Sequence, residues 1–214
     1  EKKANERGIL KEEILKEWKY KADFSTQKGS AFHAFAENYL FNKVFPFPEE
    51  EMTEVLGGTE NMLECRAAVK TIIELFKKFY DDSHGKLIPV RAEVVVGDEE
   101  LGLCGMIDQL FWNEKSGKLE IWDWKTNKKI DNKNKWQQFK SPISHLDVCE
   151  LNTYSLQLST YKYIVERNTN LKLGDSYIVW INEKNDKYEV FKCHDFREEV
   201  ITILSKAHLV KSIN

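Results

Sequence analysis

The sequence contains no apolar run near the ~20 residues a membrane span requires, and no signal-peptide pattern opens it. Proline is scarce, at four of 214 residues, and no low-complexity tract or internal repeat occurs. With 42% hydrophobic residues, a disordered or collagen-like chain is excluded. The four cysteines, Cys65, Cys104, Cys149 and Cys193, are scattered and form no C-x-x-C pair. That excludes a zinc ribbon and argues against a disulfide framework, so reduced thiols in a cytoplasmic compartment are expected. A basic excess is missing too. Thirty-two Lys and Arg stand against 35 Asp and Glu, a net charge of -3. A protein that coats polyanions would be far more basic, so any contact with nucleic acid has to be local.

A chain of this mass buries roughly 70% of its unfolded surface, enough for one real core. The expectation is a single domain over residues 1–214, with an N-terminal helical part (1–82) and a sheet core with closing helices (83–214). Ile9, Leu10, Ile14, Leu15 and Trp18 recur at helical spacing. A polar stretch, Asp23 to Lys28, separates this helix from a second that starts near Gly29. Pro46 and Pro48 break the second helix, and a third is expected from Thr59 to Tyr80. Leu87–Gly97, Leu101–Trp112 and Lys118–Lys125 read as three antiparallel strands with a turn at Asn113–Gly117. A helix over Leu151–Arg167, a hairpin of Ser176–Asn182 with Tyr188–Cys193, and a closing helix over Phe196–Val210 complete an α+β fold, helices flanking one mixed central sheet.

Asp108 interrupts an otherwise apolar strand, and Asp123 and Lys125 close the next. Residues two apart on a strand share a face, so Asp123 and Lys125 point together, and the hairpin brings Asp108 beside them. Burying such charges unpaired costs several kcal/mol per ion. The bland reading is an Asp–Lys ion pair at a sheet rim. The chemical reading is a hard divalent cation, Mg²⁺ or Mn²⁺, held by carboxylate oxygens. It acidifies a bound water and neutralises a phosphate under attack, with Lys125 beside that water.

Four short patterns occur in order: G-x-x-x-H in Gly29–His33, G-x-x-D in Gly105–Asp108, D-x-K in Asp123–Lys125 and Q-x-x-x-Y in Gln157–Tyr161. Together they resemble the PD-(D/E)XK nuclease superfamily, specifically its RecB-type exonuclease branch, and the surrounding wording is similar to phage-encoded members. The resemblance implies a restriction-endonuclease-like αβββαβ core with extra N-terminal helices. It also implies a metal-dependent DNA exonuclease acting in recombination, repair or phage DNA processing, and leaving a 5′-phosphate and a 3′-hydroxyl. His33 is then a metal ligand, and Asp108 the central metal carboxylate. Asp123 is the second carboxylate, the Trp124 carbonyl a further oxygen, and Lys125 the catalytic lysine. Gln157 and Tyr161 line the site, where their bland reading is a polar stripe on an amphipathic helix. Glu37, one turn after His33, is either a partner of the imidazole or an exposed helix carboxylate. Glu93 is either a further acidic ligand or a solvent-facing strand residue. Some members of the branch carry an iron–sulfur cluster on grouped cysteines; none are grouped here, so no cluster is expected.

From Lys115 to Lys140, eight lysines face three acids. The segment from Asn127 to Asn152 is long for a plain connection. Lys128, Lys129 and Trp136 within it suit steering and stacking of a DNA strand; the competing view is a cover that packs Trp136 and Phe139 over the core. Single- or double-stranded DNA ends are the expected partner, with a single-strand annealing protein or a helicase alongside. Two other functions fit the same fold: a flap- or branch-selective endonuclease, and a binding module without chemistry.

Overall fold

A computed structural model describes residues 8 and 10–211; Ile9, part of the expected helical stripe, lies outside the described residues. The chain divides between Phe76 and Lys77 into two compact units.

The N-terminal unit is helical. It holds α1 (Lys11–Leu40), α2 (Glu49–Leu56) and most of α3 (Thr59–Ser83). Helix α1 runs unbroken through its 30 residues, correcting the expected interruption at Asp23–Lys28. Two effects carry it across. The Lys19 ammonium reaches Asp23 one turn on at 2.5 Å. Tyr20, Phe24 and Ala31 also pack with Met52, Leu56, Met62, Cys65 and Val69, and such burial outweighs the low helix propensity of Gly29. The stripe expected at the start of the helix is mostly not buried. Ile14 is covered, but Leu15 and Trp18 are 49% and 48% exposed. Tyr20 is the first residue of α1 packed against the cluster of Met52, Leu56, Met62, Cys65 and Val69. Helix α2 was not foreseen, because the two prolines before it read as a break and eight residues carry little periodicity.

The C-terminal unit holds the last turns of α3, a five-stranded sheet and two helices. Its strands are β1 (Leu87–Asp98), β2 (Leu103–Asn113), β3 (Lys118–Lys125), β4 (Leu173–Trp180) and β5 (Glu189–Lys192); its helices are α4 (Glu150–Asn168) and α5 (Arg197–Lys211). Strand order follows the chain. Only the β3–β4 pairing is parallel, with α4 as its crossover, so the sheet is mixed. Pro89 sits on β1, an edge strand, where a missing N–H is tolerated. The β2–β3 turn is closed by Asn113, whose Oδ1 accepts the Lys115 N–H at 2.9 Å, and by Gly117 at φ +63°, a left-handed position that suits glycine.

Strand β3 is buried on both faces. On one face Ile121 joins Ile107, Leu110 and Ile178 against Leu151, Leu158 and Ile164 of α4. On the other, Trp122 meets Phe79 and Phe111 with ring centroids at 5.6 and 5.8 Å, and stacks on Tyr177 at 4.5 Å. This double burial fixes β3 as the rigid element from which the polar residues project. The cysteines are free thiols. No helix among the described residues is long and apolar enough to cross a membrane.

Candidate active site

The β2–β3 ladder runs from Asn113↔Lys118 to Gln109↔Trp122. Continued one step, the same register sets Asp108 opposite Asp123. Here a side chain takes over from the backbone: the Trp124 N–H donates to Asp108 Oδ2 at 2.8 Å. On its other edge β3 stays paired with β4 as far as Lys125↔Trp180, and the Ile181 N–H donates to the Lys125 carbonyl at 2.9 Å. The strand is thus held extended to its end on one side while it opens toward β2 on the other, and the carboxylates stand at that opening.

Asp123 and Lys125 share a face, and the ammonium lies 2.5 Å from Asp123 Oδ2, the side chains being 4% and 18% exposed. Burial works to lower the Lys125 pKa, but the adjacent Asp123 carboxylate outweighs it and holds it above the usual lysine value. Lys125 is therefore an ammonium at neutral pH, suited to stabilising negative charge rather than abstracting a proton. Burial pushes the Asp108 carboxyl up, against the opposing pull of the Trp124 N–H and Lys125. Such a carboxylate gains from a nearby cation.

Glu93 lies on β1 opposite Asp108 by register, between the pairs Ala92↔Gln109 and Val94↔Ile107. Its backbone is left-handed, at φ +48°, a conformation that costs on the order of 1–3 kcal/mol in a non-glycine residue and clusters at functional sites. The Glu93 and Asp108 carboxylates approach within 4.8 Å. Glu93 is thus half-buried beside Asp108 rather than solvent-facing. Two carboxylates this close are hard oxygen donors of the kind Mg²⁺ and Mn²⁺ prefer, so this donor set fits a divalent cation.

Helix α4 contributes one face. Gln157 donates its side-chain N–H to the Tyr161 hydroxyl at 2.8 Å. The Tyr161 ring occupies the space beside Gly105; a Cβ at that position would stand 2.6 Å from its Cζ. The glycine of G-x-x-D is therefore required by the tyrosine of Q-x-x-x-Y. Sequence reasoning missed Tyr154, three residues before Gln157, whose ring centroid lies 4.6 Å from the Lys125 ammonium. The signal was the continuation of the Gln157–Tyr161 face one turn back along the helix. Cys193 lies in the same unit with its thiol pushed up to about 12 by burial, which makes it unreactive.

His33 and Glu37 stand one turn apart on α1, both half-buried, and the His33 ring lies edge-on to Phe32 at 5.9 Å. The segment between β3 and α4 is ordered by its own hydrogen bonds. The Phe139 N–H donates to the Leu146 carbonyl at 2.9 Å, the Val148 N–H to Gln137 at 2.9 Å, and Leu151 to Asp131 at 3.1 Å. Trp136 is 95% exposed, so it covers no core; Phe139 is half-buried. Lys128 is exposed, whereas Lys129 is ion-paired with Asp131. His145 is bound to Glu199 at 3.1 Å and so belongs to the scaffold of this segment.

Among curated proteins none matches this chain. Two solved structures are similar at low identity. A crystal structure from Eubacterium rectale, provisionally named an exonuclease, shares 13% identity at TM-score 0.45, covering 85% of this chain. This chain spans 63% of that structure's length. The structure of SSO0001 shares 10% identity at TM-score 0.31, covering 92% of this chain and 86% of the other. The sequence profile of the PD-(D/E)XK nuclease superfamily, whose members use divalent metal ions, matches residues 10–209. That span takes in the opened β2–β3 edge with its carboxylates and lysine, and α4 behind them. The α+β fold is restriction-endonuclease-like, and the chain belongs to the PD-(D/E)XK nuclease superfamily.

Proposed function

We propose that this chain is a metal-dependent deoxyribonuclease of the RecB-like exonuclease type, acting in DNA recombination, repair or phage DNA processing. The observation that carries this reading is the opened strand edge: Asp108 held by the Trp124 N–H at 2.8 Å, Glu93 within 4.8 Å of it, and Lys125 an ammonium at 2.5 Å from Asp123. The family match across residues 10–209 supports treating both units as one nuclease domain.

In this reading Asp108, Asp123, Glu93 and the Trp124 carbonyl offer oxygens, and His33 offers an imidazole nitrogen, to Mg²⁺ or Mn²⁺. When bound, the ion acidifies water and neutralises phosphate charge. Lys125 faces the attacked phosphate and stabilises the negative charge that develops on its oxygens. A water oxygen attacks phosphorus and the bond to the 3′-oxygen breaks. The attacking water gives up a proton to solvent, that oxygen takes one up and leaves as a hydroxyl, and the phosphate stays on the 5′ side. Gln157 and Tyr161 line the strand path, and Glu37 orients His33. Lys128, Lys129 and Trp136 take up DNA beyond the site: cations attract the backbone, and an exposed indole stacks on a base.

The test is digestion of end-labelled linear DNA beside a closed single-stranded circle, with Mg²⁺, Mn²⁺ or chelator. Linear DNA should shorten from an end only when metal is present, while the circle persists. Cleavage of the circle would overturn the exonuclease assignment, and intact linear DNA with both metals would overturn the nuclease reading.

A further inference from the structure

We propose that Tyr154 is a positioning residue of this site, using the face of its ring to fix the Lys125 ammonium; the proposal rests on the nuclease reading above. The ammonium lies 4.6 Å from the ring centroid, inside the ~6 Å range in which an aromatic face attracts a cation. The Lys125 side chain is only 18% exposed, so water screens that attraction weakly. Lysine carries its charge on a flexible four-carbon stem, and one contact to Asp123 sets a distance without setting a direction. The ring supplies the second contact. Being neutral, it holds the ammonium without competing with a phosphate for its charge.

Both partners sit on rigid elements, which positioning requires. The Lys125 backbone is pinned by the Ile181 N–H at 2.9 Å. Tyr154 rides on α4, where Leu151, Leu158 and Ile164 are buried against the sheet. Tyr154, Gln157 and Tyr161 fall at helical spacing on one face, and the Tyr161 ring is seated on Gly105. One helix face thus touches both β2 and the end of β3, and Tyr154 is the member that meets the charge.

The test compares the parent with Tyr154→Phe, Tyr154→Leu and, as a control, Lys125→Ala in metal-dependent DNA digestion. It is joined by mass-spectrometric measurement of how fast an amine-reactive reagent labels Lys125. Tyr154→Phe keeps the ring and should hold kcat within about twofold of the parent. Tyr154→Leu should lose about tenfold in kcat, with KM within about twofold, and should label Lys125 faster. A Phe variant as impaired as the Leu variant would overturn the proposal, as would a Leu variant with parental kcat and labelling. A parent that digests nothing would overturn the nuclease reading instead, and the labelling rates would still decide whether the ring holds the lysine.

Discussion

The ring of Tyr161 fills the place where residue 105 would carry a side chain, with a Cβ there coming within 2.6 Å of the tyrosine Cζ. Tyr161 also packs on the sheet core and accepts the Gln157 hydrogen bond at 2.8 Å, so the ring cannot move away without loss. Gly105→Ala should therefore destabilise the protein by about 1–3 kcal/mol and lower activity through β2, which carries Asp108. In a Tyr161→Ala background the same substitution should cost less than half as much. A double-mutant cycle by chemical denaturation reads this; equal costs in both backgrounds would show that the two residues act independently.

Asp108 and Glu93 predict a thermal signature of metal binding. At about a hundred times its Kd a metal adds about 2.7 kcal/mol, or ~5–10 °C in Tm for a chain of this size. Mg²⁺ or Mn²⁺ should raise the Tm of the parent, and the rise should vanish in Asp108→Ala. Thermal scans with metal or chelator measure it, and an equal rise in the variant would place the metal elsewhere.

Trp136 is nearly fully exposed, so Trp136→Ala should change stability by less than about 0.5 kcal/mol. Stacking on one base contributes ~1–3 kcal/mol, so single-stranded DNA should bind roughly 5- to 150-fold more weakly. Anisotropy with a labelled oligonucleotide in chelator separates binding from cleavage; unchanged affinity would remove Trp136 from the DNA path.

Glu166 links α4 to α5 and to the start of β4. Burial alone would raise its pKa, but ion pairing with Arg197 and the Leu173 N–H at 2.9 Å outweigh it and hold the carboxyl below the usual range. A carboxylate depressed in the folded state contributes stability above its unfolded pKa, about 4.3, and loses it as pH falls through the folded value. Glu166→Gln should cost about 1–2 kcal/mol at pH 7, and parent and variant should converge as pH falls below ~4. Denaturation at several pH values follows the gap; a gap constant down to acid pH would contradict the assignment.

The sheet was legible because its alternation is strong. Strand β3 occupies the expected Lys118–Lys125, and β1 and β2 match within two residues at each end. Face-sharing of Asp123 and Lys125 followed from the two-residue strand period. Three features were not legible. Continuity of α1 through Gly29 depends on tertiary partners such as Met52 and Val69 that no local pattern displays. The left-handed backbone of Glu93 falls where the β1–β2 ladder steps from Ala92↔Gln109 to Val94↔Ile107, and a glutamate gives no hint of it. Tyr154 reads as one more aromatic on an amphipathic helix until the end of β3 is placed against it. The exposure of Trp136 takes that side chain out of any packed cover, whereas Phe139 of the same segment is half-buried, a division composition left open.

The central claim is that the carboxylates and the ammonium at the opened β2–β3 edge perform phosphodiester hydrolysis. Release of acid-soluble nucleotides from labelled linear DNA, compared among the parent, Asp108→Ala and Lys125→Ala with folding verified by circular dichroism, tests it most directly. The account predicts metal-dependent release by the parent and a fall of at least about a hundredfold in each folded variant. Parental rates in both variants would contradict it.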